Sequence, residues 1–261
     1  MRRIQDIWTP ATAVNSMLPP RSVRRTVIAM TLATGLTMFS VYAIWLNDGC
    51  DPWMPFISDT DVYPGTDLVF TMGFALSGIL IIIGGWQVGN FRHNWMTASG
   101  IEQKWVAINR FGMYSAIIAG LGLLMIADTP WDEHIYLHML YAFLIFVGGI
   151  IFIICLTLTT EPMAQIEPEL EQLKKPRLVY SIIAVASASL MKLNYSRMVG
   201  TPPNFSHLNP YFSNVKQCTN LGYEAMAEAA IFEWIMVIFI GAGAFTMIKE
   251  IKILDNVSEE E

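Results

Sequence analysis

The sequence predicts an all-α polytopic membrane protein, a bundle of six transmembrane helices. Three observations predict it. Apolar residues make up 54% of the 261 residues and charged residues only 15%, whereas soluble domains carry about 25% charged residues. The apolar excess is gathered into six long runs. Lysines and arginines fall mainly between alternate runs. The net charge of −6 gives no support for nucleic-acid binding, and three cysteines are too few for a disulfide scaffold or a CxxC zinc site.

A bilayer core about 30 Å thick needs roughly 20 helical residues at about 1.5 Å each. The runs at 26–46, 67–88, 105–127, 135–160, 178–193 and 225–248 meet that length. Val41 and Ala43 would suit signal cleavage after the first run. About 25 residues precede it, however, and the run exceeds the usual 7–15 of a signal peptide, so a retained signal-anchor is expected. The glycine pairs Gly84–Gly85 and Gly148–Gly149 suit close helix packing, as do Gly241 and Gly243. The fifth run is the most polar, with Ser181, Ser187 and Ser189. Its alanines Ala184, Ala186 and Ala188 permit close packing, and Lys192 must snorkel near one end. The stretch 161–171 reads as a short solvated turn. The expected organisation is a cytosolic segment 1–25, a transmembrane domain 26–248 and a cytosolic acidic tail 249–261.

Orientation follows from Lys and Arg. Arg2, Arg3, Arg21, Arg24 and Arg25 precede the first run. The second connection holds Arg92 and Lys104, with Arg110 just inside the third run, the fourth holds Lys174, Lys175 and Arg177, and Lys249 and Lys252 follow the last run. The other side holds only Arg197 and Lys216, with Lys192 at a helix end. Both termini are therefore expected in the cytosol, with the first, third and fifth connections in a lumen or outside the cell.

Some residues invite a chemical reading. In the first connection Pro52 and Pro55 disfavour regular helix. Ser58, Asp59 and Thr60 can fix a tight turn, and Trp53 and Phe56 suit the headgroup zone. That loop is either a structured cap or a contact for lipid or a partner. Glu233 lies about nine residues into the last run, roughly 13 Å deep. An unpaired carboxylate there is costly, so it must be neutral, hydrogen-bonded or paired, and His138 and Lys192 are the partners available by depth. A buried clasp, a headgroup or proton-linked site, and a hydrolytic or metal centre all remain open for this set. His134 and His138 stand at i and i+4, but no third histidine is near. There is no G-x-S-x-G and no P-loop. No catalytic residue, metal ligand set or cofactor is therefore assigned. Cys50 and Cys218 fall on the same non-cytosolic side and are disulfide candidates. Asn204 heads an N-x-S sequon on that side and is a glycosylation candidate.

Several of these segments resemble the DRAM/Frag/Sfk family of six-span membrane proteins. Pro55-Phe56-Ile57-Ser58-Asp59-Thr60 resembles that family's P-[FY]-I-S-D-T signature between spans one and two. His138-Met139-Leu140-Tyr141-Ala142 resembles the H-x-x-x-A stretch opening span four, with Met139 where an acidic residue often stands. Arg177 leads into the fifth span, and Ala230-Ile231-Phe232-Glu233-Trp234 resembles A-I-x-E-W in the last. The resemblance implies a non-enzymatic regulator or adaptor in autophagy, phosphoinositide or membrane-lipid homeostasis. GPI-anchor or other lipid remodelling, and small proton-linked transport, are its rivals. It implies membrane lipids as partners, together with other membrane proteins or a cytosolic kinase complex. It also implies residence in lysosome, Golgi, ER or plasma membrane. Asp59, His138 and Glu233 are expected to organise a polar pocket in the non-cytosolic half.

Overall fold

The computed structural model describes residues 18–51, 54–219 and 223–259. Its helices are α1 (Pro20–Asn47), the short α2 (Asp59–Val62), α3 (Asp67–Ala98), α4 (Gln103–Ile126), α5 (Ile135–Ala164), α6 (Glu171–Val199), α7 (Asn209–Lys216) and α8 (Glu224–Glu259). Short 3₁₀ turns at Pro168–Leu170 and Phe205–Leu208 precede α6 and α7. Six helices, α1, α3, α4, α5, α6 and α8, are long and apolar enough to cross a membrane.

Local chemistry sets their ends. Pro20 opens α1, where its missing N–H is no loss. Gly100 and Gly200 follow α3 and α6 with φ of +70° and +82°, a left-handed conformation that glycine adopts without a Cβ clash. Leu36, Phe39, Leu68, Met72, Ile182 and Leu193 stay exposed along the outer faces, as expected of side chains that meet hydrocarbon.

The spanning helices form a ring in chain order. α1 packs on α3, α3 on α4, α4 on α5, α5 on α6 and α6 on α8, and α8 returns to α1. Glycines permit the tight seams. A Cβ on Gly78 would lie 2.6 Å from Leu124 N, and one on Gly148 would lie 2.7 Å from Ser115 O. Across the ring α5 touches α8, where Gly149 faces Ile240 and Gly243 faces Ile153. One end of the ring, the terminal end, carries the start of α1, the turns α3–α4 and α5–α6, and the end of α8. It is filled by Val27, Met96, Leu156, Met163, Leu170 and Ile251. The opposite loop end packs Trp45, Phe56, Trp131, Leu208, Tyr211 and Met226.

Candidate functional site

The loop end is built on the turn that leads into α2. Phe56 N–H donates to Asp59 Oδ2 at 2.8 Å, and Thr60 Oγ1 donates to Ile57 O at 2.5 Å. Thr66 Oγ1 donates to Thr60 O at 2.5 Å and closes the turn toward α3. The last helix then grips this turn twice. Ile57 N–H donates to Glu233 Oε2 at 2.7 Å, and Trp234 Nε1 donates to Pro55 O at 2.8 Å. The two sequence signatures, Pro55–Thr60 and Ala230–Trp234, are thus each other's binding partners.

A second layer comes from α7. Tyr211 Oη donates to Asp59 Oδ2 at 2.5 Å, and a Cys50–Cys218 disulfide, Cα–Cα 4.8 Å, ties the end of α1 to the end of α7. Trp131 wedges between these parts, its ring centroid 5.7 Å from Phe56, 6.0 Å from Tyr211 and 6.1 Å from His138. Asp59 is fully buried. Burial pushes its carboxyl up to about 7 against the opposing pull of Tyr211, the Phe56 N–H and the Trp131 indole. The indole faces Asp59 without a hydrogen bond of ordinary geometry, since neither Trp131 Nε1 nor Asp59 Oδ1 has a partner. Asp61 is also buried, and its Oδ2 has no partner. Desolvation first, then Asp67, Asp132, Asp128 and Glu133, push it up to about 8.

One expectation is corrected here. Glu233 is satisfied neither by His138 nor by Lys192. The turn descends far enough for its own backbone to reach the carboxylate, so a peptide N–H supplies the bond. His138 instead pairs with Thr129 O through Nδ1 at 2.6 Å. That nitrogen must carry the proton, since a carbonyl can only accept. His134 is exposed while His138 is buried, so the two do not converge on one centre. Asp59, His138 and Glu233 do lie at the same end, linked through Phe56 and Trp131. Pro55 and Ser58 are the turn itself, and Ser58 is buried with its fold. Asn204 is exposed on the α6–α7 connection, and its Oδ1 accepts from Ser206 N–H and Oγ.

Arg177 does not join this group. It lies at the terminal end, 1% exposed, in a cluster that sequence reasoning missed. Glu250 Oε2 accepts from Arg177 Nη1 at 2.5 Å and Glu250 Oε1 pairs with Arg92 Nη1 at 3.1 Å. Arg92 Nη2 donates to Thr159 at 2.6 Å, and Arg177 donates to Thr160 and Thr246, each at 2.8 Å. The charge pattern puts Arg92 in the second connection and Glu250 in the acidic tail. Both sit inside longer helices. The available signal was the apolar flank of each: Phe91, Trp95 and Met96 around Arg92, and Met247, Ile251 and Leu254 around Glu250.

Between the two ends lies a cavity of about 950 Å³ lined by all six spanning helices, at the top of the roughly 300–1,000 Å³ range of ligand pockets. Its roof is Phe56, Ile57 and Ser58, and it reaches down to Thr246, which Arg177 holds. The lining is overwhelmingly apolar. Its charged members are Lys192 and Glu233, both toward the loop end. Gly35 and Gly241 line it with open space where a Cβ would stand.

Neither a curated protein nor a solved structure matches the chain. A family model does, the Frag1/DRAM/Sfk1/Cwh43P N-terminal domain, over residues 23–254. That span runs from the first turns of α1 nearly to the end of α8 and takes in both signatures that clasp one another at the loop end. The chain belongs to the Frag1/DRAM/Sfk1/Cwh43P family of membrane proteins.

Proposed function

We propose that this protein is a non-enzymatic regulator of membrane-lipid homeostasis, of the kind that serves autophagy or phosphoinositide control, and that it works by taking up a bilayer lipid. The carrying observation is the apolar cavity ringed by all six spanning helices. In a bilayer such a space fills with hydrocarbon, because neither water nor a vacuum satisfies apolar walls. Asp59, Glu233 and His138, the ionisable groups near its roof, each hold at least one hydrogen bond. Asp59 accepts from Phe56 and Tyr211, Glu233 from Ile57, and His138 meets Thr129. That pattern favours a rigid lid over a reacting centre. Occupancy would be sensed where the cavity touches the buried Arg177–Glu250 cluster, which joins α6 and α8.

The same reading places both termini in the cytosol and the loop end in a lumen or outside. The disulfide belongs in an oxidising compartment, and exposed Arg21, Arg24, Arg25, Lys104 and Lys175 crowd the terminal end.

The test is native mass spectrometry of protein purified in a mild detergent. The wild type should carry bound lipid. Gly241→Phe and Gly35→Phe, which project bulk into open space, should lose it while remaining folded. A lipid-free wild type, or the same lipid content in both filled variants, would refute the reading.

A further inference from the structure

Lys192 stands on α6 seven residues before its end at Val199, about 10 Å along the helix, within snorkelling reach of the headgroup level. It lines the cavity mouth with Tyr195, Ser196 and Phe205. Its side chain is exposed, and among the described residues it makes no ion pair or hydrogen bond through its ammonium group. Three other ionisable residues of this end that could compete for or with it are engaged elsewhere. Arg197 pairs with Glu228 at 2.8 Å, Lys216 with Asp132 at 2.5 Å, and Glu233 holds the Ile57 N–H. An exposed ammonium at headgroup level, with an apolar wall beside it, is placed to meet an anionic headgroup. Further donor capacity lies beside it. The Tyr195 hydroxyl donates only to Met139 Sδ at 3.9 Å, a weak acceptor.

On the lipid-binding reading, we propose that Lys192 holds the phosphate of an anionic phospholipid whose acyl chains fill the ring cavity. The continuous apolar wall below the cation selects a lipid over a soluble phosphate. A net anionic headgroup is preferred because a zwitterionic one brings its own cation into competition with Lys192. Glu233 borders the same space on α8, but its carboxyl is occupied by the Ile57 N–H, which leaves the Lys192 ammonium at the α6 mouth as the group that meets the phosphate.

The experiment reconstitutes the full-length protein in phosphatidylcholine vesicles. These contain traces of either phosphatidylglycerol or phosphatidylcholine with a diazirine in the acyl chain, and labelled peptides are mapped after illumination. Phosphatidylglycerol should label cavity peptides about fivefold more than phosphatidylcholine, the ratio expected of one lysine near an anionic headgroup. Lys192→Gln should bring that ratio to about one and leave phosphatidylcholine labelling unchanged, while Lys192→Arg should keep it. Gly241→Phe should abolish labelling by both lipids. A wild-type ratio near one, or an unchanged ratio in Lys192→Gln, overturns the headgroup assignment while cavity labelling still upholds lipid binding. Loss of phosphatidylglycerol labelling to excess glycerol 3-phosphate also overturns it, in favour of a soluble anion. If neither lipid labels the cavity, lipid binding itself has failed. Lys192 has no protein partner to lose, so its variants keep the fold, which size-exclusion profiles will show.

Discussion

Glu250 holds two arginines at once, and that asymmetry makes its replacement the most informative perturbation. The side chains of Arg92, Arg177 and Glu250 are 2%, 0% and 1% exposed, and the three together carry one net positive charge. Glu250→Gln leaves two buried guanidinium groups facing a neutral amide. Breaking one buried ion pair costs about 3–5 kcal/mol, and this change breaks both. Even one broken pair corresponds to a fall in unfolding temperature of roughly 6–20 °C, at about 2–4 °C per kcal/mol for a chain of this size class, and the fall for Glu250→Gln should be no smaller than that. Arg177→Met is different. It leaves Arg92 and Glu250 as a one-to-one pair, with an unbranched apolar chain in the vacated space. Thr160 and Thr246 lose a donor to their oxygens but keep their own bonds to Leu156 O and Gly243 O, each 2.7 Å. The expected cost is about 1–2 kcal/mol. The double variant should be less destabilised than the sum of the singles by at least about 1 kcal/mol, because removing Arg177 relieves the excess charge. Thermal unfolding of detergent-solubilised protein, followed by fluorescence-detected size exclusion, measures all three. If Arg177→Met loses as much as Glu250→Gln, or if Glu250→Gln stays within about 1 kcal/mol of wild type, the charge argument is wrong.

Stability should also depend on pH through the loop end. Asp59 and Asp61 ordinarily titrate near 3.8 and are pushed up to about 7 and about 8 in the folded chain, so folding retains protons that the unfolded chain has lost. This contribution is full below about pH 4 and is lost as pH rises through 7 and 8. Asp61→Asn should flatten the upper part of that fall and stabilise the protein at about pH 9, and an unchanged slope would exclude Asp61 as its source. At the clasp, Glu233→Gln keeps an acceptor for the Ile57 N–H and should cost within about 1 kcal/mol, whereas Glu233→Leu orphans that donor and should cost about 1–3 kcal/mol. Equal unfolding temperatures for the two would remove the bond as the reason for Glu233. Expressed in a eukaryotic host, the protein should carry a glycan at Asn204 and none at Asn194, whose buried side chain accepts from Arg197 at 2.8 Å. Glycopeptide mass spectrometry decides this, and a glycan at Asn256 would reverse the orientation.

The fold was legible because the bilayer imposes a length on every span, and apolar runs report length directly. The helix ends were less legible. The second apolar run ends at Val88, yet α3 continues to Ala98. Charge ordinarily signals exposure, and Arg92 breaks that rule because its partners come from α5 and α8, far away in sequence. The ring order is likewise beyond periodicity. The spans are apolar on most faces, so no stripe tells which face looks inward and which meets lipid. Only the contact of α8 with α1 closes the ring and leaves a cavity at its centre.

The loop-end residues were found by type and depth, but their partners were not. Depth arguments pair side chains with side chains, so Glu233 was matched to His138 and Lys192. A backbone N–H has no sequence signature, and Ile57 could not be nominated. Once the turn is seen to descend into the bundle, the two signatures need no shared chemistry to explain their residue types. Trp234 must donate to a proline carbonyl, Glu233 must accept from the residue two positions later, and Asp59 must hold the turn that presents both. The motif residues of the loop end therefore seal the roof of the cavity, while Arg177 sits at its far end. Lys192, which no motif includes, borders the cavity with no ammonium partner among the described residues. The residues that mark the family and the residue that would meet a ligand are then different. Substitutions in the signatures should be read first as changes to a lid, and substitutions at Lys192 as changes to what lies beneath it.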